Sequence, residues 1–256
     1  MKTIKVVYFS PAGGTKRITT SIAGGLDGVK EYHSLMDRRL EKKLTIAPDE
    51  ALLLVMPVYS NRIPEYCVNS VKHIHGNGRP AIIVAVYGNR DYGSALLEME
   101  DLLSSQGLDV VAAGAFIARH SLFPEIAKDR PDEKDLHAAK DFASKCNKKL
   151  AKYDHNAYQL LEVPGERPFP EYSKRTLVPA ASNKCTKCRT CVEICPVHAI
   201  SREKPKKVDE TKCIGCCACV AHCPTGARGF SGLIYGSVAK KIGKLAADRR
   251  DPEVFI

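Results

Sequence analysis

Apolar runs at residues 4–9, 51–56, 81–87 and 110–117 alternate with segments whose apolar positions recur every three to four residues. Runs of that length predict strands buried on both faces, and the periodic segments between them predict helical crossovers. The first 153 residues therefore read as one α/β unit built on a parallel sheet. Residues 29–33 make a shorter, more polar run, as an edge strand does. Ile18, Ile22 and Leu26 mark one helix, Pro64 opens a helical segment ending at Gly76, Leu96 to Leu103 is closed by Gly107, and Pro131 opens the last. That last helix carries the stripe Leu136, Ala139, Ala143, Cys146 and Leu150, so Cys146 reads as core packing, as does Cys67 in step with Val71 and Ile74.

Beyond residue 153 the periodicity fades. Residues 154–180 hold Pro164, Pro168, Pro170 and Pro179 and read as a semi-rigid linker. Residues 181–230 form a cysteine-rich module, and residues 231–256 a tail whose Ile234, Val238, Ile242 and Leu245 share a helical face. Lys240, Lys241 and Lys244 lie elsewhere on that helix, which is expected to pack on the body rather than on a membrane. The longest apolar stretches, 51–59 and 110–118, fall well short of the roughly 18 to 20 residues a spanning helix needs. Without a secretory pattern either, the expected location is the cytoplasm, where clustered cysteines serve metals or redox chemistry.

Nine of the eleven cysteines fall between Cys185 and Cys223. They repeat one pattern: Cys185-x-x-Cys188-x-x-Cys191-x-x-x-Cys195-Pro196, then Cys213-x-x-Cys216-x-x-Cys219-x-x-x-Cys223-Pro224. Three closely spaced thiolates wrap one face of a cubane, and the fourth, pointing away, completes the other repeat's cluster. Cys185, Cys188, Cys191 and Cys223 are the expected ligands of cluster one, and Cys213, Cys216, Cys219 and Cys195 those of cluster two. Both repeats resemble the two-[4Fe-4S] bacterial ferredoxins, prolines included. A pair of zinc sites is the competing reading, but zinc gives no reason for a third cysteine at the same spacing and a Cys-Pro in each repeat. Cys217 stands outside the pattern and reads as a small buried filler. His222 is placed to tune a cluster or simply to meet solvent.

The second chemical signal follows the first predicted strand. Ser10-Pro11-Ala12-Gly13-Gly14-Thr15 leads into a helix, so backbone N–H groups, a helix N-terminus and two hydroxyls converge on a phosphate site. The loop resembles the FMN-phosphate loop of flavodoxins, with Ala12 in place of a hydroxyl. That resemblance implies a doubly wound, five-stranded parallel sheet of order 2-1-3-4-5, with flavin at the switch point. The loops after the third and fourth main strands then supply the ring contacts: Tyr59, Ser60 and Asn61 from one; Gly88, Asn89, Arg90, Asp91 and Tyr92 from the other. Tyr59 and Tyr92 are the candidates to stack on the isoalloxazine. Gly76-x-Gly78-x-x-Ala81 mimics a dinucleotide fingerprint, but it precedes a strand and Pro80 forbids the helix.

The whole chain resembles the flavodoxin-ferredoxin fusion proteins of anaerobic bacteria and archaea: a flavodoxin-like domain joined to a small α+β ferredoxin-like domain. Two clusters at about −2 each and one flavin phosphate bring the formal charge of +10 down to about +4, so the basic character is compensation for anionic cofactors rather than a nucleic-acid signal. The resemblance implies an electron relay in which two [4Fe-4S] clusters pass single electrons and FMN stores one or two, with a ferredoxin-type donor and a redox partner protein. A flavin-dependent reductase of a small substrate, with Tyr59, Arg62 or Arg90 at its pocket, and a non-catalytic iron-sulfur sensor are the alternatives.

Overall fold

The computed structural model describes residues 1–37, 40–172 and 177–256, so part of the linker, residues 173–176, lies outside the described residues. The main strands are β1 (Thr3–Tyr8), β2 (Val29–Ser34), β4 (Glu50–Pro57), β6 (Arg79–Tyr87) and β7 (Leu108–Ile117). They pair in parallel in the order β2-β1-β4-β6-β7, which is the 2-1-3-4-5 winding. Alternation explains why these strands read as continuous apolar runs. On β4, Leu52, Leu54 and Met56 enter the core on one face, while Ala51, Leu53 and Val55 enter the core on the other. Each fully buried Leu or Val contributes roughly 1.5–3 kcal/mol.

Helices α1 (Gly14–Gly25) and α4 (Glu133–Ala151) cover one face; α2 (Glu65–Val71) and α3 (Ala95–Ser104) cover the other. The first pair packs closely. A Cβ on Gly25 would lie 2.8 Å from the Ala143 Cβ, so glycine permits the approach. Of the α4 stripe, Ala139, Ala143, Cys146 and Leu150 are buried and Leu136 is half-buried, and the helix N-terminus is a reciprocal cap between Asp132 and Asp135. Asp135 is fully buried against the Arg130 guanidinium.

Two features depart from the sequence reading. The segment opened by Pro64 is not one helix to Gly76: α2 stops at Val71, and β5 (Ile74–His75) pairs with β3 (Leu44–Thr45) as a small parallel sheet. The backbone N–H of Leu44 donates to His73 O at 2.8 Å and that of Ile46 to His75 O at 2.9 Å, so an incoming chain takes the polar groups a longer helix would have used. The main sheet also has six strands rather than five. β10 (Glu253–Phe255) returns from the far end of the chain and pairs antiparallel with β7, satisfying an edge that would otherwise stay open.

The cysteine module is closed by β8 (Ala180–Ala181) against β9 (Arg228–Gly229) and holds two short helices, α5 (Thr190–Glu193) and α6 (Ala218–Ala221). The two halves repeat locally. Arg189 before α5 and Cys217 before α6 take the same left-handed conformation, φ 66° and 64°. Cys217 is buried, as a filler would be. Then α7 (Leu233–Leu245) leads back to β10, with Tyr235, Ala239 and Ile242 against Phe123 and Ile126.

The return is held at Asn89. Its Nδ2 donates to Ala246 O at 2.9 Å and Asp248 O at 2.8 Å, and its Oδ1 accepts from the Arg250 N–H at 3.1 Å. Asn89 itself sits at φ 62°, a conformation asparagine tolerates better than alanine does. Asn89→Ala should cost on the order of 2–4 kcal/mol and raise hydrogen exchange in residues 246–256 above that of β6. Unchanged exchange in that segment would show that the tail is held elsewhere.

Candidate functional site

Parallel strands end on the same edge, so the loops after β1, β4, β6 and β7 meet there. They enclose a cavity of about 430 Å³, within the range of small-molecule and cofactor sites.

The first wall is the loop before α1. Gly13 takes φ 88°, which places the turn and leaves the start of α1 facing the cavity. The Lys16 N–H donates to Ser10 Oγ at 2.8 Å, so Ser10 clamps the loop. Pro11, Ala12, Gly14 and the buried Thr15 line the space. A Cβ on Gly14 would stand 2.9 Å from Ala118 Cβ, which ties this wall to the end of β7.

The second and third walls hold each other. Ser60 and Asn61 follow one another at φ 51° and 68°, two left-handed non-glycine residues at a cost of order 1–3 kcal/mol each. The turn is fixed by paired backbone bonds between Tyr59 and Arg62 at 2.8 and 3.3 Å, by Ser94 N–H donating to Asn61 O at 2.9 Å, and by Arg90 donating to Asn61 Oδ1. Gly93 must be glycine, because a Cβ there would lie 2.3 Å from that of Asn61.

Of the residues singled out from sequence, Tyr59, Ser60, Asn61, Gly88, Arg90 and Asp91 line the cavity with the four loop residues named above. Ser10 and Gly13 shape it from behind. Asn89 and Tyr92 do something else. Asn89 holds the tail, and the Tyr92 hydroxyl donates to the Glu253 carboxylate at 2.7 Å while its ring meets Tyr87 edge-on at 5.4 Å. Tyr92 is thus anchored to β10 and is not a wall of the cavity. Arg62 is also occupied: it pairs with Glu98 at 2.6 Å and lies 3.8 Å over the Tyr172 ring, and Tyr172 donates to Glu98 at 2.7 Å. This network fastens the linker to α3.

Three contributions had no place in the sequence reading. Residues 119–123 form the fourth wall, with the His120 ring packed where a Gly88 side chain would be, 2.6 Å from its ideal Cβ. The polar Arg119-His120-Ser121 directly after an apolar run carried that signal. Val238 and Ile242 of α7 and Gly215 of the cysteine module complete the lining across more than a hundred residues; the helical stripe marked the first two for packing on the body, but nothing local marked any of the three for this cavity.

The thiols gather in two small cavities. One is lined by Cys185, Cys188, Cys191 and Cys223, the other by Cys195, Cys213, Cys216 and Cys219 together with Cys217, so the fourth cysteine of each repeat stands with the other repeat's three. Among the described residues no three such groups close on a single ion. Four motif thiols to a cavity, drawn from both repeats, are a donor set of the number and kind a four-thiolate cluster takes. The surroundings differ. Burial pushes Cys216 and Cys219 up to about 12, while hydrogen bonds from Thr190 lower Cys188, which is exposed.

The second thiol cavity abuts the loop cavity. Gly215 lines both, and the Tyr59 hydroxyl donates to Cys216 O at 3.5 Å. His222 Nε2 lies 3.2 Å from Pro11 O, and the Tyr66 hydroxyl donates to Pro196 O at 3.4 Å, so the module docks directly on the first two walls.

The strand order defines a flavodoxin-like α/β domain joined to an iron-sulfur module. Residues 184–227 match the family described as a 4Fe-4S dicluster domain. A flavodoxin from the domain Archaea is similar to the chain at 18% identity over 58% of this chain and 99% of that one, with a TM-score of 0.41. The flavodoxin of Fusobacterium nucleatum bound to flavin mononucleotide is 14% identical over 58% and 99%, with a TM-score of 0.41. Rubredoxin oxygen:oxidoreductase from Desulfovibrio gigas is 14% identical over 61% of this chain and 37% of its own, at 0.45. No curated protein matches the chain in sequence. Among the described residues no helix is long and apolar enough to cross a membrane.

Burial first, then the Arg90 charge, push the His120 imidazole down to about 4 from an ordinary 6.5. Its Nδ1 accepts from the N–H groups of Leu122 and Phe123 at 3.2 and 3.3 Å, as the neutral ring does. The unfolded chain binds the proton more readily, so the stability held in the neutral ring is full above pH about 6.5 and is lost as pH falls towards about 4. His120→Asn keeps an acceptor without titrating. Its melting temperature should depend less on pH across that window than the wild type's, and parallel profiles would refute the assignment.

Proposed function

We propose that the chain is an electron-transfer iron-sulfur flavoprotein. Cys185, Cys188, Cys191 and Cys223 hold one [4Fe-4S] cluster, Cys213, Cys216, Cys219 and Cys195 the second, and the 430 Å³ cavity takes FMN. The observation that carries this reading is Gly215, which lines both the second thiol cavity and the loop cavity. A redox centre in either would stand against the other with one backbone turn between them.

The residues suit those groups. Gly14 and Gly88 let the walls close on Ala118 and His120 without filling the cavity, and the start of α1 offers N–H groups to a phosphate. Gly88, Arg90 and Asp91 would meet the polar edge of a bound ring, and Tyr59 lines the cavity on the side of the module, its hydroxyl on Cys216 O. When bound, the clusters supply one-electron transfer and the flavin one- or two-electron storage. The chain's own part is to position the centres, to keep water from Cys195 and Cys216, and to leave Cys188 exposed as the port to a ferredoxin-type donor or another redox partner. A second reading, reduction of a small anionic substrate at the flavin, is favoured by Arg90 and Arg119 in the cavity wall. Arg62 takes no part in it, being held by Glu98.

Protein purified without oxygen should contain about eight irons and one FMN per chain. Cys223→Ser should lose the same cluster as Cys185→Ser, because the ligation is crossed. In stopped-flow mixing with a reduced low-potential ferredoxin, the flavin should become reduced in the wild type and stay oxidised in Cys216→Ser. Four irons, FAD, or a flavin reduced equally fast in Cys216→Ser would defeat the proposal.

A further inference from the structure

The cysteine module contains one deeply buried charge, Arg228, which is 4% exposed. Its Nη1 donates to Pro179 O at 3.3 Å and Lys206 O at 3.1 Å, its Nη2 donates to Pro205 O, and its Nε has no partner. These are neutral carbonyls. Arg228 has no carboxylate partner among the described residues, although a guanidinium stays charged at any ordinary pH and burial without a counter-ion is costly. What it does face is sulfur: Nη2 lies 3.5 Å from Cys191 Sγ, and the side chain lines the cavity of Cys185, Cys188, Cys191 and Cys223.

The other thiol cavity is built differently. Besides its cysteines it is walled by Val197, Ile200, Val208, Ile214 and Ala218, and among the described residues no charged side chain lines it. The first cavity has Lys187 and Arg189 in its wall as well as Arg228. Net charge, hydrogen bonds to sulfur and exposure are what set the potential of an iron-sulfur cluster; each cavity has an N–H on sulfur, Arg228 on Cys191 and Ala199 on Cys195, while charge and exposure differ in the same direction.

We propose that Arg228 is the counter-cation of the cluster held by Cys185, Cys188, Cys191 and Cys223, and that it makes this cluster the first of the two to accept an electron. The inference rests on the iron-sulfur reading above. Accepting one electron from an external reductant adds one unit of negative charge and breaks no bond. A fixed positive charge at 3.5 Å from a ligand sulfur stabilises that product more than the oxidised form. Its N–H to sulfur contact acts in the same sense. Arg228 lines the first cavity and touches its Cys191, and it does not line the second, so the second cluster should respond less.

The test is a dithionite titration of the full-length holoprotein, followed by EPR and by the hyperfine-shifted β-proton signals of the cysteines in NMR. In the wild type the first electron should appear on the Cys191 set. Arg228→Gln should lower the reduction equilibrium of that cluster at least tenfold, about 59 mV for a one-electron couple, with a smaller change at the second. Arg228→Lys, which keeps the charge and loses the fork, should restore most of it; a merely structural role would disturb both variants alike. Should Arg228→Gln lose iron, the wild-type assignment and the Arg228→Lys titration decide. A first electron on the Cys213 set, or equal shifts of both clusters in a variant that keeps about eight irons, would overturn the inference and leave the proposed function standing. Wild-type protein without iron would instead overturn the proposed function.

Discussion

All else in this protein depends on strands that run in one direction. Because β1, β4, β6 and β7 are parallel and buried on both faces, their carboxyl ends share one edge, and every chain segment that leaves that edge must turn there. The turns are costly: Ser60, Asn61 and Asn89 take left-handed backbone without being glycine. Such conformations persist where neighbouring contacts over-determine them, and here the neighbours are the other turns. Arg90 fixes Asn61, Asn61 fixes Ser94, and His120 fills the space beside Gly88. A cavity results because four rigid turns cannot also fill the space between them.

The same edge anchors the rest of the chain. The loop after β6 divides its residues between two tasks, Gly88, Arg90 and Asp91 facing the cavity while Asn89 and Tyr92 hold the segment that becomes β10. Arg130 and Asp132 hold it from the other side, with Arg130 donating to Arg250 O at 3.1 Å and Arg249 pairing with Asp132 at 2.7 Å. The Arg249 hydrogen bonds keep the Asp132 carboxyl well below the usual range. The cysteine module is therefore tethered at both ends: the linker is pinned through Glu98, Arg62 and Tyr172, and the tail through Asn89 and β10. A module inserted in this way stays registered on the loops it must face, which a single flexible tether would not achieve.

How much of this was legible follows from the range of each interaction. Strand runs, the α4 stripe and the cysteine repeats are local patterns with a fixed period, and they could be read directly. The phosphate-type loop was legible because its glycines and helix start are contiguous. Asn89 and Tyr92 misled for a definite reason. Their position after a strand end matches a cavity wall, but side-chain direction within a turn depends on partners, and theirs lie near residues 246–253. As cavity residues Gly215, Val238 and Ile242 were illegible for the same cause, as was β10, whose three residues pair only because β7 offers an edge. Arg228 looked like any surface arginine in a basic chain until burial set it apart.

The crossed grouping of the thiols has a structural consequence of its own. Cys191 and Cys195 belong to different thiol cavities but stand four residues apart across α5, and Cys219 and Cys223 do the same across α6. Two short covalent segments, each leaving the end of a four-residue helix, therefore join the cavities. Neither half-repeat can complete its cavity alone, which makes the module one cooperative unit despite its small core. The same two segments hold the cavities side by side while their surroundings stay distinct, cationic and exposed around Cys188, apolar and covered around Cys216. Symmetric sequence thereby yields an asymmetric pair, with the dry side turned to the loop cavity and the wet side to solvent.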